Sequence, residues 1–236
     1  MGQIFGIESD DEESDTRNVR FYRGEIKSKP WPGKNIDKML SWYGNYDKLE
    51  DNHQYIQWLF PIPERSRSNS SAQRLYVHEA QAIKVDEELQ GKVVQAYRMM
   101  LDFYGLRLVN PIDGAVSRNR ENWEERFHHL NRSQHNYLRI TRIITSLGEL
   151  GFERYQSPLV MKLMEEGVVH RTLPNTVRSA MRYWIDAIKD QNERTELKRR
   201  YETLTRHTVP PGNQSNGISK DSDVKLDECV EATEIS

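Results

Sequence analysis

The sequence predicts a single all-α globular domain with disordered acidic termini. Three observations carry that expectation. Apolar residues recur at three- and four-residue spacing through most of the chain, alternating runs of strand length are nearly absent, and Gly, Pro or Asn punctuate the spacing at helix-like intervals. About eight helices are expected, with helix-on-helix burial as the only core. No repeat of fixed period is present, so neither a solenoid nor a propeller is expected.

The elements follow in chain order. Val19 and Tyr22 mark a first short helical stretch, and Asn35 precedes Ile36, Met39, Leu40 and Tyr43. Tyr55, Ile56 and Leu59 lie ahead of Pro61 and Pro63, which stop the helix. Glu64 to Gln73 is polar and loop-like. Asp86 then caps a long amphipathic helix through Val93, Val94, Tyr97, Leu101 and Tyr104, ended by Gly105. The stretch Leu106 to Arg120, with Pro111 and Gly114, reads as an irregular connection. Trp123, Phe127 and Leu130 mark a shorter helix. Ile140, Ile143, Ile144, Leu147 and Leu150 form a stripe before Gly151, and another starts at Ser157-Pro158 and ends at Gly167. The last stripe follows Pro174 with Val177, Ala180, Met181, Trp184, Ile185 and Ile188, and is expected to continue into the charged segment 190–205.

The chain has 236 residues, 34 Lys and Arg against 36 Asp and Glu, 36% hydrophobic residues and one cysteine, Cys229. One soluble domain suits those figures. No stretch has the apolar length of a bilayer crossing and no secretory signal is visible, so an intracellular protein is expected. A lone cysteine allows no internal disulfide, in keeping with a reducing compartment. Charge is sorted along the chain. Residues 1–15 hold six acids and no base, and residues 207–236 hold six acids and two lysines, which leaves the body from 16 to 206 net basic by eight charges. Both ends carry too few large apolar groups to offset ordering entropy and are expected to be disordered. Between them, Arg65 and Arg67 precede Ser68, Ser70 and Ser71, a pattern that suits a basophilic kinase.

Motifs for the common nucleotide, hydrolase and metal classes are absent: there is no Gly-x-Gly-x-x-Gly, Walker loop, Gly-x-Ser-x-Gly, His-Glu-x-x-His or EF-hand loop. No cofactor or metal is implied. Glu124 and Glu125 stand four residues before His128 and His129, a spacing that would let each pair share a helix face as metal ligands but that ordinarily marks helical surface ion pairs. Two polar groupings sit among apolar residues. His53, Gln57 and Trp58 lie in HQYIQWLFP, where a helix would put His53 and Gln57 on one face as the lining of a small cleft. His135, Arg139 and Arg142 form a basic stripe opposite the apolar one of their helix. Satisfied interhelical groups and a solvated face are the ordinary explanations of such patterns.

NVRFYRGE (18–25), NYDKLEDNHQYIQWLFPIPERS (45–66), MMLDFYGLRLV (99–109) and NWEERFHHLNRSQHNYLRITRIITSLGELGFE (122–153) resemble the conserved domain of the opioid growth factor receptor family over roughly residues 17–205. The resemblance implies a non-catalytic intracellular protein, unrelated to the seven-helix opioid receptors. By the same resemblance it binds methionine enkephalin, restrains proliferation, and acts at the nucleus and perinuclear membrane. Its short acidic end, where the namesake continues for much longer, is similar to a receptor-like paralogue or a short form. The family supplies no contact residues to carry over. Chemistry alone nominates Trp58, Tyr104 and Trp123 for an aromatic cleft and Asp102 for the peptide amine. Gly2 is a lipidation candidate by MGQIFG, although Gly6 stands where the myristoylation pattern wants Ser or Thr.

Three functional readings follow. The first is a receptor or adaptor for a peptide or protein partner. The second is a basic domain binding nucleic acid or another polyanion through Arg65, Arg67, Arg139, Arg142 and Lys198-Arg199-Arg200. The third is an enzyme using His53 or His135 as an acid–base group. The family resemblance favours the first.

Overall fold

The computed structural model describes residues 16–65 and 72–208. The expectations for Gly2, for the acidic segments 1–15 and 209–236, and for Ser68, Ser70 and Ser71 lie outside the described residues. Among the described residues there are eleven α-helical elements and two three-residue strands. The helices are α1 (Arg17–Tyr22), α2 (Ile36–Leu40), α3 (Tyr46–Asp51), α4 (Ile56–Leu59), α5 (Val77–Val85), α6 (Glu87–Phe103), α7 (Trp123–Arg132), α8 (His135–Glu149), α9 (Glu153–Val168), α10 (Val177–Ser179) and α11 (Gln191–Thr208). The strands β1 (Leu106–Leu108) and β2 (Val116–Arg118) form an antiparallel hairpin inside the connection expected to be irregular. The all-α class stands. Several elements are single turns, which is why they outnumber the eight helices expected from periodicity.

The long helices form where spacing and caps agree. Asp86 accepts hydrogen bonds from the Glu88 and Leu89 amides at 3.1 and 3.2 Å, and α6 runs from there to the turn at Gly105. On α8, Ile140, Ile143, Ile144 and Leu147 are buried, and the helix packs against α9. Two helices fall where no stripe was read, α3 in YDKLED and α5 in VHEAQAIKV. Both are held from outside. Leu49 of α3 is buried, and fully buried Glu79 of α5 accepts from the Asn18 amide at 2.8 Å, tying α1 to α5.

Two boundaries differ from expectation. Helix α9 begins at Glu153, ahead of Pro158, which sits inside it. Pro158 has no N–H for the Arg154 carbonyl four residues back. Gly114 of the hairpin turn packs on that carbonyl, so closely that a Cβ would stand 2.3 Å from its oxygen. The second difference is at the end of the chain, where the stripe after Pro174 does not run on into the charged segment. It forms a 3-10 turn (Pro174–Thr176), the short α10 and a π-helical turn (Ala180–Trp184), and α11 starts anew at Gln191. Asp190 sets that break by accepting from the Asn192 and Glu193 amides at 2.8 and 2.9 Å, an N-cap that no continuing helix permits. Helix α11 then reaches Thr208, two residues past the expected domain end at 206.

Candidate functional site

A polar seam runs through the interior where α3, α6, α7 and α8 meet. Its accessible end is built on Glu50, near the C-terminus of α3. Glu50 Oε1 lies 3.2 Å from His129 Nε2 of α7 and 3.1 Å from His135 Nε2 of α8, while Oε2 accepts from Asn136 Nδ2 at 3.0 Å. The three side chains Glu50, His129 and His135 are 24%, 26% and 32% exposed, so the cluster opens to solvent without being solvated throughout. Burial pushes the Glu50 carboxyl up, but the His129, His135 and Asn136 hydrogen bonds outweigh it and hold the group well below the usual carboxylate range.

Arg126 orients one of these rings. Its Nη2 lies 3.0 Å from His129 Nδ1, which makes that nitrogen the acceptor and leaves Nε2–H to donate to Glu50. Arg126 also donates from Nε to the Phe103 carbonyl at 2.8 Å and lies 4.4 Å over the Tyr46 ring. Beyond it the seam continues to buried Asp102, which accepts from Tyr46 Oη at 3.0 Å, Asn119 Nδ2 at 2.8 Å and Asn122 Nδ2 at 3.0 Å.

On the other side of Glu50, Arg139 is buried and its guanidinium is taken up by backbone. It donates to the carbonyls of Leu49 at 2.9 Å, Glu50 at 3.2 Å and Asn52 at 3.2 Å, which closes the chain after α3. Its Nη2 is also 3.3 Å from His53 Nδ1, and the rings of His53 and His135 meet edge to face at 5.9 Å. Burial, the Arg139 charge and His135 together pull the His53 pKa below its ordinary value.

His53, His135 and Arg139 are therefore brought together, and the other nominated residues are not. His53 lies in the turn after α3 and not on a helix with Gln57. Gln57, on α4, is buried and turns its amide back to donate to the Gln54 and His53 carbonyls at 3.1 and 3.2 Å. Trp58 is 1% exposed, packs on Phe21, and donates from Nε1 to the Lys29 carbonyl at 3.1 Å. Tyr104 is also core, and burial pushes its hydroxyl well above the usual range. Trp123 is half-buried under the Arg118 guanidinium, 4.1 Å away. Asp102 is committed to three internal donors. The three aromatic residues nominated for a cleft, and Asp102 nominated for the peptide amine, thus do not line an open one.

The expected basic stripe is corrected as well. Arg139 points inward, and Arg142 donates to the Phe60 carbonyl at 3.0 Å. Both replace missing helical donors at the ends of short segments, work that a solvated face would not do. The Glu–His surface pairs of α7 do not form either: His128 faces Arg132 at 3.3 Å and His129 faces Glu50. Glu50, Arg126, Asn122 and Asn136 were not singled out from sequence. Their neighbours three and four residues away are mostly polar, so no amphipathic pattern marks them, and their roles come from contacts between helices.

The comparisons with known proteins complete the picture. Residues 11–209 match the model of the opioid growth factor receptor conserved region. The chain belongs to the opioid growth factor receptor family. Opioid growth factor receptor-like protein 1 of Mus musculus is 45% identical over 202 residues, which cover 85% of this chain and 42% of that protein. The Xenopus tropicalis protein of the same name is 48% identical over 187 residues, 79% of this chain and 36% of that one. Opioid growth factor receptor of Homo sapiens is 45% identical over 183 residues, 78% of this chain and 27% of the human protein. The chain thus spans less than half the length of these relatives. No solved structure matches it. Among the described residues, no helix is long and apolar enough to cross a membrane and no group of three or more His, Cys, Asp or Glu is disposed to hold a metal ion.

Proposed function

We propose that this domain of the opioid growth factor receptor family is a non-catalytic binding module. Its partner is a short peptide of the opioid growth factor kind, methionine enkephalin, or a protein presenting a similar basic end. Control of proliferation from the nucleus and perinuclear membrane is part of the same proposal, since it rests on the family. The observation that carries the binding site is Glu50: an ionised carboxylate, partly exposed, at the open end of the seam beside the exposed ring of His53. A peptide ammonium entering there meets a charge already held in place by His129, His135 and Asn136, and it displaces an imidazole without forcing the carboxylate to reorganise.

The same geometry weighs against one catalytic arrangement, a Ser133–His129–Glu50 relay. Ser133 Oγ lies 3.2 Å from His129 Nε2, the nitrogen that also faces Glu50, while Nδ1 faces Arg126. A relay needs the two ring nitrogens to serve the nucleophile and the acid separately, and here one nitrogen serves both. The polyanion reading loses support for a different reason. Arg139 and Arg142 point inward, Lys198 pairs with Asp186 at 2.9 Å, and Arg199 and Arg200 both pair with Glu196 at 2.8 Å.

Calorimetric titration of the chain with methionine enkephalin and with a scrambled pentapeptide, at low and high salt, tests the proposal. Saturable binding of the first peptide only, weakened by Glu50→Gln, is the expected result. Absence of binding, or binding indifferent to Glu50→Gln, overturns the assignment of the site.

A further inference from the structure

The connection between α1 and α2 has a composition that neither the core nor the polar seam uses. Residues 27–38, which run from this connection into the first turn of α2, read KSKPWPGKNIDK, with four lysines, the last of them on α2, and one tryptophan. The loop is tied at its neck, where the Ser28 amide donates to the Lys34 carbonyl at 2.8 Å and the Lys34 amide donates to Ser28 Oγ at 3.0 Å. Gly33 is required there, since a Cβ would fall 1.6 Å from the Ser28 carbonyl oxygen. Below the neck, Trp58 Nε1 holds the Lys29 carbonyl and so fastens the loop to the core.

At the tip, between Pro30 and Pro32, Trp31 is 91% exposed, more than any other large hydrophobic among the described residues. Lys27, Lys29 and Lys38 are exposed and Lys34 half-exposed, and no carboxylate ion pair is formed by these four among the described residues. The acids on either side are Glu25, which faces Arg20 at 3.5 Å, and Asp37. The loop also surrounds an open hollow of about 920 Å³ rimmed by the lysines.

We propose that this loop docks on an anionic lipid bilayer, with Trp31 at the headgroup boundary and Lys27, Lys29, Lys34 and Lys38 facing acidic headgroups. Tryptophan is suited to that depth because its ring is apolar while its indole N–H stays hydrated, and lysines near a negative leaflet add attraction charge by charge. The neck and the two prolines hold the ring out before it meets a surface, so little order is lost on docking. Single-stranded nucleic acid is the competing polyanion, and the loop suits it less. It offers one aromatic ring with no second platform, no arginine, and its only side-chain amide, Asn35, is occupied by capping the Lys38 amide at 3.0 Å.

The test uses the full chain made without an acyltransferase, so that no lipid on Gly2 contributes. Phosphatidylcholine vesicles with and without phosphatidylserine are followed by co-sedimentation and tryptophan fluorescence, with an oligothymidylate in a parallel arm. Trp42, Trp58 and Trp184 are buried and Trp123 lies under Arg118, so a blue shift reports Trp31. The expected result is binding and a blue shift with phosphatidylserine only, both falling with salt. Trp31→Ala removes the shift and weakens binding, and each Lys→Gln change weakens it about fivefold. Trp31, Lys27, Lys29 and Lys38 are exposed and Lys34 half-exposed, so circular dichroism should show the fold unchanged. No binding to the acidic vesicles, binding unaffected by Trp31→Ala, or a fluorescence response to the oligonucleotide alone overturns the proposal.

Discussion

The Nε2 of His135 stands 3.1 Å from Glu50 Oε1, joining the first residue of α8 to the end of α3 across most of the domain's N-terminal half. His129 reaches the same oxygen, so one carboxylate links three helices. Its pKa is depressed in the folded state. Such a group contributes stability that is present above its unfolded pKa and is lost as pH falls through the folded value. His53 adds to this with the same sign, since its folded pKa is also lowered and acidification charges it more readily in the unfolded chain. Stability to urea is therefore expected to fall first below about pH 7 through His53, and then below about pH 4.5, and on through still lower pH, through Glu50. Glu50→Gln should flatten the lower part of that profile and cost about 1–2 kcal/mol at neutral pH. An unchanged profile would contradict the role given to Glu50.

Glu166 poses a sharper case because its carboxylate is fully buried. Arg118 approaches it with two nitrogens, Lys162 Nζ lies 2.8 Å away and Thr172 Oγ1 2.7 Å away. Burial alone would raise its pKa, but these donors outweigh it and lower the group to about 2. The contribution is present above the ordinary carboxylate pKa and disappears as pH falls towards about 2. Its size is about 3 kcal/mol. Glu166→Gln removes the carboxylate that Arg118 pairs with and leaves Lys162 only Glu165, at 3.7 Å, and is expected to cost about 2–4 kcal/mol at neutral pH, read from chemical denaturation.

How much of this could be read beforehand depends on the length over which a signal repeats. The stripes of α6, α8 and α9 span several turns and predict helices that the structure contains. The start expected at Pro158 and the continuation expected through Asp190 both fail on single residues: Gly114 packs on the Arg154 carbonyl that Pro158 leaves without a donor, and Asp190 acts as a cap. The site follows the same logic. His53, His135 and Arg139 were legible as polar residues among apolar ones, whereas Glu50 gains its role from partners distant in sequence and Arg126 from His129 one turn on together with the distant Phe103 carbonyl. Trp58 and Tyr104 looked like binding residues because aromatic groups serve cores and clefts equally well.

The cap at Asp190 gives a direct test of the break before α11. Asp190→Ala removes an acceptor from two amides and is expected to cost about 1 kcal/mol. Hydrogen exchange should show faster opening of the first turn of α11, with α8 unaffected. Equal loss of protection from Val177 to Trp184 as well as in α11 would mean that the segment from Val177 to Thr208 behaves as one unit.

Gly114 should be the least replaceable residue of the hairpin, for two independent reasons. Its φ is +78°, a region that side chains with a Cβ rarely adopt, and the missing Cβ makes room for the Arg154 carbonyl. Gly114→Ala therefore adds backbone strain and forces the hairpin turn away from α9, at a combined cost of about 2–4 kcal/mol in chemical denaturation. Gly91 supplies the control. Its Cβ position on α6 meets nothing within 4 Å, so Gly91→Ala should stabilise by up to about 1 kcal/mol through helix propensity. If both substitutions destabilised alike, the close approach of Gly114 to Arg154 would not be what fixes the hairpin against α9.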